Sequence, residues 1–322
     1  MKKNSTNNLF KWMMMFTIFS TISSNSIMMI WIMIEMSNMA FIPLMMNKSI
    51  MNSESIMKFF IIQSMSSMTI LLAIMFMYMK TLPMKMMITV MLIMKMGGVP
   101  FSNWLVMTVE GMNFNMMMIL FTVMKIPPLM MMNSLNLKNN LLIMLSMVLS
   151  SLMMINQNST KKMISYSSIF NLSLLMVSIM ENKLWMQFLM NYTMMMWLLT
   201  KELEKNKMMN LNQMMINNKN LLTKMSIWIS MMSMGGLPPL MGFVNKMLII
   251  ELLVKNNEFM LISSLILSSS IVMFMYMKYS LSCMMMSSLL PKINKKVYST
   301  NFNMIILNSM ILPMLMLSKT FN

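Results

Sequence analysis

The chain contains no histidine, no arginine and no aspartate, and its single cysteine is Cys283. A lone cysteine cannot close an internal disulfide. Without His, Asp or a second Cys, the usual ligand sets for zinc, haem and iron–sulfur centres are missing, so no cofactor or metal is expected in this chain. Alanine occurs only at Ala40 and Ala73, and glycine six times. The 8 acidic residues are all glutamate and the 25 basic residues are all lysine. Charged residues make up 10% of the 322 positions, where a soluble domain carries about a quarter. A water-soluble globule is therefore excluded.

What the chain has in excess is apolar surface: 57% of its residues are hydrophobic and its mean hydropathy is +0.66. About 20 apolar residues cross roughly 30 Å of hydrocarbon as a helix. Backbone groups in lipid must bond internally, which leaves helices or closed barrels. The apolar runs lack the ten-residue alternation of a barrel strand, so the expectation is an all-α polytopic membrane protein. Methionine reaches 66. Residues with A/T-rich codons (Lys, Asn, Ile, Met, Phe) have displaced those with G/C-rich codons, as mutational pressure on an A/T-rich organelle genome would produce. An animal mitochondrial code with an extra Met codon accounts for the methionine. The methionines are thus soft apolar filler rather than a cofactor-binding stripe.

Spans are expected near 8–24, 26–46, 57–79, 84–106, 113–133, 139–156, 163–181, 184–201, 223–254, 259–281 and 302–319, about eleven in a single transmembrane domain over 1–322. The longest hydrophilic loop falls at 201–220. Residues 1–8 lead straight into an apolar stretch without a small-residue cleavage site, so no cleavable signal peptide is expected. The net charge of +17 does not indicate nucleic acid, because the lysines gather at span ends and in loops. On the N-terminal side these are Lys2, Lys3, Lys11, Lys48, Lys161, Lys162, Lys201, Lys205, Lys207, Lys219, Lys292, Lys295 and Lys296, thirteen in all. The other side carries Lys80, Lys85, Lys138, Lys183, Lys255 and Lys319, six in all. Lysine-rich loops stay on the inner side of a membrane. The N-terminus is therefore expected inside and, after an odd number of spans, the C-terminus outside.

Five of the six glycines lie in two places: Gly97-Gly98 before Val99-Pro100, and Gly235-Gly236 before Leu237-Pro238-Pro239 and Gly242. Glycine weakens a helix and proline removes one of its bonds. Within lipid such a break survives only under cover of protein or beside a water-filled cavity. One break falls in the fourth expected span and the other in the ninth, five spans later. Matching breaks in two halves indicate a transporter-type repeat with an ion path at the breaks. Five spans per copy make the second copy inverted, giving repeats at 8–133 and 139–281 and an additional C-terminal helix at 302–319. Simple kinks are the plainer alternative.

Four ionisable residues fall well inside spans: Glu35, Lys95 just before the first break, Lys125, and Lys246 just after the second. A lysine at mid-membrane costs about 2.5–3.5 kcal/mol, so each must be solvated, paired or neutral. Burial and a nearby carboxylate shift a lysine's proton affinity in opposite directions, which suits a buried lysine to taking and releasing a proton. Glu35 and Lys95 would make a switchable ion pair, with Lys125 and Lys246 continuing a row along the membrane midplane. Snorkelling to an interface is the alternative for each lysine. Glu110 reads as a loop residue near a helix start.

These residues also carry a resemblance. The stretch from Trp31 through Glu35 to Pro43 resembles the second span of the mitochondrial NADH dehydrogenase subunit 2 family. So do Lys95-Met-Gly-Gly-Val-Pro-Phe101 with Trp104, Lys125-Ile-Pro-Pro128, and Lys162 with Tyr166-Ser-Ser168. The run from Gly235 to Lys246 is the most specific match. The likeness covers about 10–280 in order. Where the family usually has a histidine this chain has Ser102, and where it often has a proline this chain has Asn245. The resemblance implies an antiporter-like, proton-translocating subunit of respiratory complex I, with Glu35, Lys95, Lys125 and Lys246 as the hydrated relay and Lys162 as an accessory. It further implies that NADH, FMN, iron–sulfur clusters and ubiquinone belong to other subunits. The implied setting is the mitochondrial inner membrane, with other membrane-arm subunits and lipids such as cardiolipin as partners. A purely structural arm subunit and a free-standing cation/proton antiporter are the alternatives. A continuous chain of ordered waters near Lys95, Lys125 and Lys246 favours translocation over scaffolding, and co-migration with NADH dehydrogenase activity separates a complex subunit from a free-standing antiporter.

Overall fold

The computed structural model describes residues 2–46, 50–79, 84–137, 139–206, 208, 210 and 221–285. The expected span at 302–319 and most of the 201–220 loop lie outside the described residues. Regular structure among the described residues is helical. In chain order the helices are α1 (Lys2–Ser23), α2 (Ile27–Met45), α3 (Ile50–Tyr78), α4 (Lys85–Met96), α5 (Asn103–Gly111) and α6 (Phe114–Phe121). A 3-10 turn (Val123–Lys125) leads into α7 (Ile126–Ser134), followed by α8 (Asn140–Met154), α9 (Thr160–Ser178) and α10 (Asn182–Lys205). Then come α11 (Leu221–Gly235), α12 (Met241–Lys255) and α13 (Phe259–Met285).

Among the described residues, four helical stretches are long and apolar enough to cross a membrane: 27–45, 50–78, 114–134 and 259–281. Serine and threonine are frequent in the helices, yet they are poor company for lipid. Their hydroxyls turn back onto their own helix, as in Ser66 Oγ to Gln63 O at 2.9 Å and Ser178 Oγ to Leu175 O at 2.7 Å. That local bond satisfies the hydroxyl without a partner from outside, so helices rich in serine can still pack in an apolar setting. Large apolar side chains such as Trp12, Phe16 and Phe19 stay exposed along α1. That is the surface of a chain whose solvent is lipid or other apolar protein.

The fold divides into two compact units. The first is Met1–Ser146 with Ser168–Asn182, and the second is Met147–Ser167 with Lys183–Asn322. Within the first, α1 packs on α2, α3 packs on α4 and α5, and α7 rests against α1, α2 and α4. Within the second, α11, α12 and α13 pack on one another. Several elements outrun their expected limits. Helix α3 begins at Ile50, and from its first turn Asn52 Nδ2 donates to Met45 O (2.6 Å) at the end of α2. Helix α10 continues to Lys205, so Lys201 and Lys205 are helical rather than loop lysines; Lys201 Nζ stacks 3.9 Å over the Trp197 ring. Glu110 is exposed in the last turn of α5, not in a loop.

Candidate functional site

Helix α4 stops where its sequence stops favouring it. Gly97 adopts φ 75°, a left-handed conformation that costs other residues about 1–2 kcal/mol. Its N–H bonds to Met94 O (3.1 Å) and the Gly98 N–H to Ile93 O (2.9 Å), a Schellman-type close. The final carbonyls of a helix need outside donors. Trp104 Nε1, from α5, supplies Met94 O at 3.0 Å, and Gln63 Nε2, from α3, supplies Lys95 O at 3.0 Å. Leu105 fills the space that a Cβ on Gly97 would require.

This termination presents Lys95 in the last turn of α4, where the helix dipole favours a cation. Its Nζ lies 2.9 Å from Glu35 Oε1 of α2. The Lys95 side chain is 1% exposed and that of Glu35 25%. A buried lysine thus has a carboxylate partner that keeps a path to the outside.

Lys125 was expected at the middle of a continuous helix. Instead α6 ends at Phe121, and Lys125 closes the 3-10 turn before α7. The cause is Pro127-Pro128, whose missing N–H groups deprive Val123 and Met124 of their helical donors. Lys125 is fully enclosed; its Nζ donates to Ser168 O at 2.9 Å and lies 5.7 Å from the Phe121 ring centre. Lys95 and Lys125 line the same cavity of about 20 Å³, together with Ser37, Asn38, Gln63 and Trp104. The first unit therefore brings Lys95, with Glu35 paired to it, and Lys125 to one small cavity.

The second unit holds Lys246. Helix α11 ends at Gly235, and Gly236 takes φ 81°. Gly236 N–H bonds to Met232 O (3.0 Å), and Leu237 N–H to the same carbonyl (3.3 Å). Lys246 reaches back from α12 so that its Nζ donates to Gly235 O at 2.5 Å. A Cβ on Gly236 would lie 2.7 Å from Lys246 Cε and 2.8 Å from Nζ, so the lysine's tip would have to shift, and the left-handed φ of 81° itself favours glycine. Gly242 passes against the Ser233 carbonyl, again with no room for a Cβ. Beside Lys246, Asn245 Oδ1 accepts from Asn191 Nδ2 at 2.8 Å. Lys162, half-buried in the first turn of α9, lies one turn before Tyr166. The adjacent Ser167 Oγ accepts from Tyr276 OH at 2.7 Å.

Sequence reasoning missed several polar groups. Glu202, 1% exposed on the extension of α10, accepts from Ser226 Oγ at 3.1 Å. Lys224 on α11 is 5% exposed. Asn38 and Gln63 are buried on α2 and α3. The sequence signal for Asn38 was its place one turn after Glu35, on the same helix face. Among the described residues, no group of three or more His, Cys, Asp or Glu could hold a metal ion.

An all-helical membrane domain with lysines at two glycine–proline junctions is an antiporter-like arrangement. Residues 79–273 match the family described as NADH:quinone oxidoreductase/Mrp antiporter, TM. The backbone superposes on a chain of respiratory complex I from Thermus thermophilus, solved with bound aureothin, at a TM-score of 0.82 and 17% identity, covering 95% of this chain and 77% of that one. It also superposes on a chain of the Mrp complex from Dietzia at 0.73 and 11%, covering 83% and 58%. In sequence it is similar to NADH-ubiquinone oxidoreductase chain 2 of Anopheles gambiae, 32% identical over 315 residues, 94% of this chain and 92% of that protein. The protein of the same name from Artemia franciscana is 30% identical over 281 residues, 87% and 91% of the two. The chain belongs to the NADH-ubiquinone oxidoreductase chain 2 family.

Proposed function

We propose that the chain is a core membrane-arm subunit of respiratory complex I in the mitochondrial inner membrane. It moves protons while other subunits carry the NADH, FMN, iron–sulfur and ubiquinone chemistry. In this reading it spans the membrane eleven times, with inverted repeats at 8–133 and 139–281, discontinuous helices at the two glycine–proline junctions and an added helix at 302–319. Its N-terminus faces the matrix and its C-terminus the intermembrane space. Its neighbours are other membrane-arm subunits and lipids such as cardiolipin.

The observation that supports the reading is one cavity lined by both Lys95 and Lys125, with Glu35 paired to Lys95. A proton from the matrix side resides on Lys125 or on a water beside it. Withdrawing Glu35 from Lys95 leaves that lysine's charge uncompensated, which raises the cost of a second positive charge at Lys125. At about 4 Å and an effective dielectric of 20, one such contact is worth about 4 kcal/mol, enough to expel or admit a proton. Lys246 passes charge onward, and Lys162 is an accessory at the inner end of α9.

The Lys125→Met variant of the assembled complex tests this. Protons pumped per NADH should fall while assembly persists, and a normal ratio would overturn the relay. The fold shared with the Mrp chain supports a competing assignment, a free-standing cation/proton antiporter. Co-migration with NADH dehydrogenase activity on native gels decides between the two.

A further inference from the structure

The geometry points to a single-water site held by Asn38 between the Glu35–Lys95 pair and Lys125, which makes Asn38 a positioning residue for the proton path. The inference rests on the function proposed above and deepens it. Asn38 lies on α2 three residues after Glu35 and is 6% exposed. Its Nδ2 is buried without a hydrogen-bond partner, a condition that native interiors rarely tolerate unless water supplies the partner. It lines the cavity shared by Lys95 and Lys125.

That cavity measures about 20 Å³, and one water needs roughly 10–15 Å³ with two to four polar partners. The walls supply them. Asn38 Nδ2 and one ammonium donate to the water. Ser37 Oγ accepts from it, since that hydroxyl's own hydrogen is spent on Ile34 O at 2.7 Å. Gln63, whose Nε2 is committed to Lys95 O, offers its Oε1 as the second acceptor. When the water turns its hydrogen from Gln63 Oε1 to the other lysine in its neutral form, it can yield that proton while taking one from the ammonium. Water is regenerated, one N–H bond breaks and one forms, and no other reactant is needed.

Two substitutions separate a water-holding role from a packing role, because the two roles rank them oppositely. Asn38→Leu fills the space with methyl groups and removes the donor. Asn38→Ala removes the donor but opens room for a second water. If Asn38 positions water, the assembled Asn38→Leu complex loses several-fold in protons pumped per NADH, while Asn38→Ala keeps most of it. If Asn38 merely packs, the alanine variant is the worse of the two, and pumping by Asn38→Leu equal to or above that of Asn38→Ala overturns the inference. A high-resolution map of the whole complex supports it with a water within hydrogen-bond distance of Asn38 Nδ2, and a dry cavity there overturns it. Normal pumping by Lys125→Met would bring down the functional reading and this site with it. Impaired Lys125→Met with normal Asn38→Leu would bring down this site alone.

Discussion

The two glycine–proline junctions solve one problem in opposite ways. Each ends a helix at a left-handed glycine and leaves terminal carbonyls to be satisfied. At the first, neutral side chains do so: Trp104 bonds to Met94 O and Gln63 to Lys95 O. The lysine ammonium is thereby released to meet Glu35. At the second, the lysine itself serves as the cap, with Lys246 Nζ on Gly235 O. A lysine paired with a carboxylate can be switched by moving the carboxylate. A lysine bonded to its own backbone junction is tied to the shape of that junction. Under the proposed function, this difference puts electrostatic control in the first unit and mechanical control in the second.

The sharpest way to break this comparison is to deform the second junction. Gly242→Ala drives a methyl group into the Ser233 carbonyl. Overpacking typically costs about 1–3 kcal/mol and more where the obstacle is backbone. Loss of assembled subunit on native gels is the expected result, with normal assembly as the contrary one. Next comes Glu35→Gln. Removing one member of a buried pair costs about 3–5 kcal/mol, and the 25% exposure of Glu35 trims this towards the screened surface range. Proton pumping should fall strongly. Adding Lys95→Met should restore thermal stability of the complex without restoring pumping; recovery of pumping would show that the pair only holds α2 to α4. The smallest effect is expected from Trp104→Phe, which leaves Met94 O without its indole donor. Met94 O keeps the Gly97 N–H, so the loss is about 0.5–1.5 kcal/mol, read as a lower melting temperature with pumping per NADH unchanged. An equal fall in both would tie the first cap to the proton path.

Much of this was legible in the sequence because it is written locally. Glycine followed by proline interrupts a helix whatever surrounds it, and a charge within an apolar run must find a partner. Lys125 shows where local reading ends. Pro127-Pro128 was visible, but the apolar average across 114–134 hid the 3-10 turn that the prolines force. Its acceptor, the Ser168 carbonyl, is 43 residues away, and no pattern in the sequence marks a backbone acceptor. Glu202 was lost for a similar reason. It lies beside Lys201 and Lys205 in a polar stretch, and only the hydroxyl of Ser226 from another helix shows that it is inside. Asn38 is one polar residue among many on these helices, and the cavity against it is what sets it apart.

Gln63 has one more consequence. It holds Lys95 by the carbonyl while Glu35 holds it by the ammonium, so the residue is gripped at both ends by two different helices. Lys95 is in this sense a fixed contact. In the proposed relay Glu35, the more exposed partner, is the moving arm. A switch built this way opens by a side-chain swing on α2 and leaves α4 where it is. Such a switch needs only a change of rotamer and no sliding of helices in lipid.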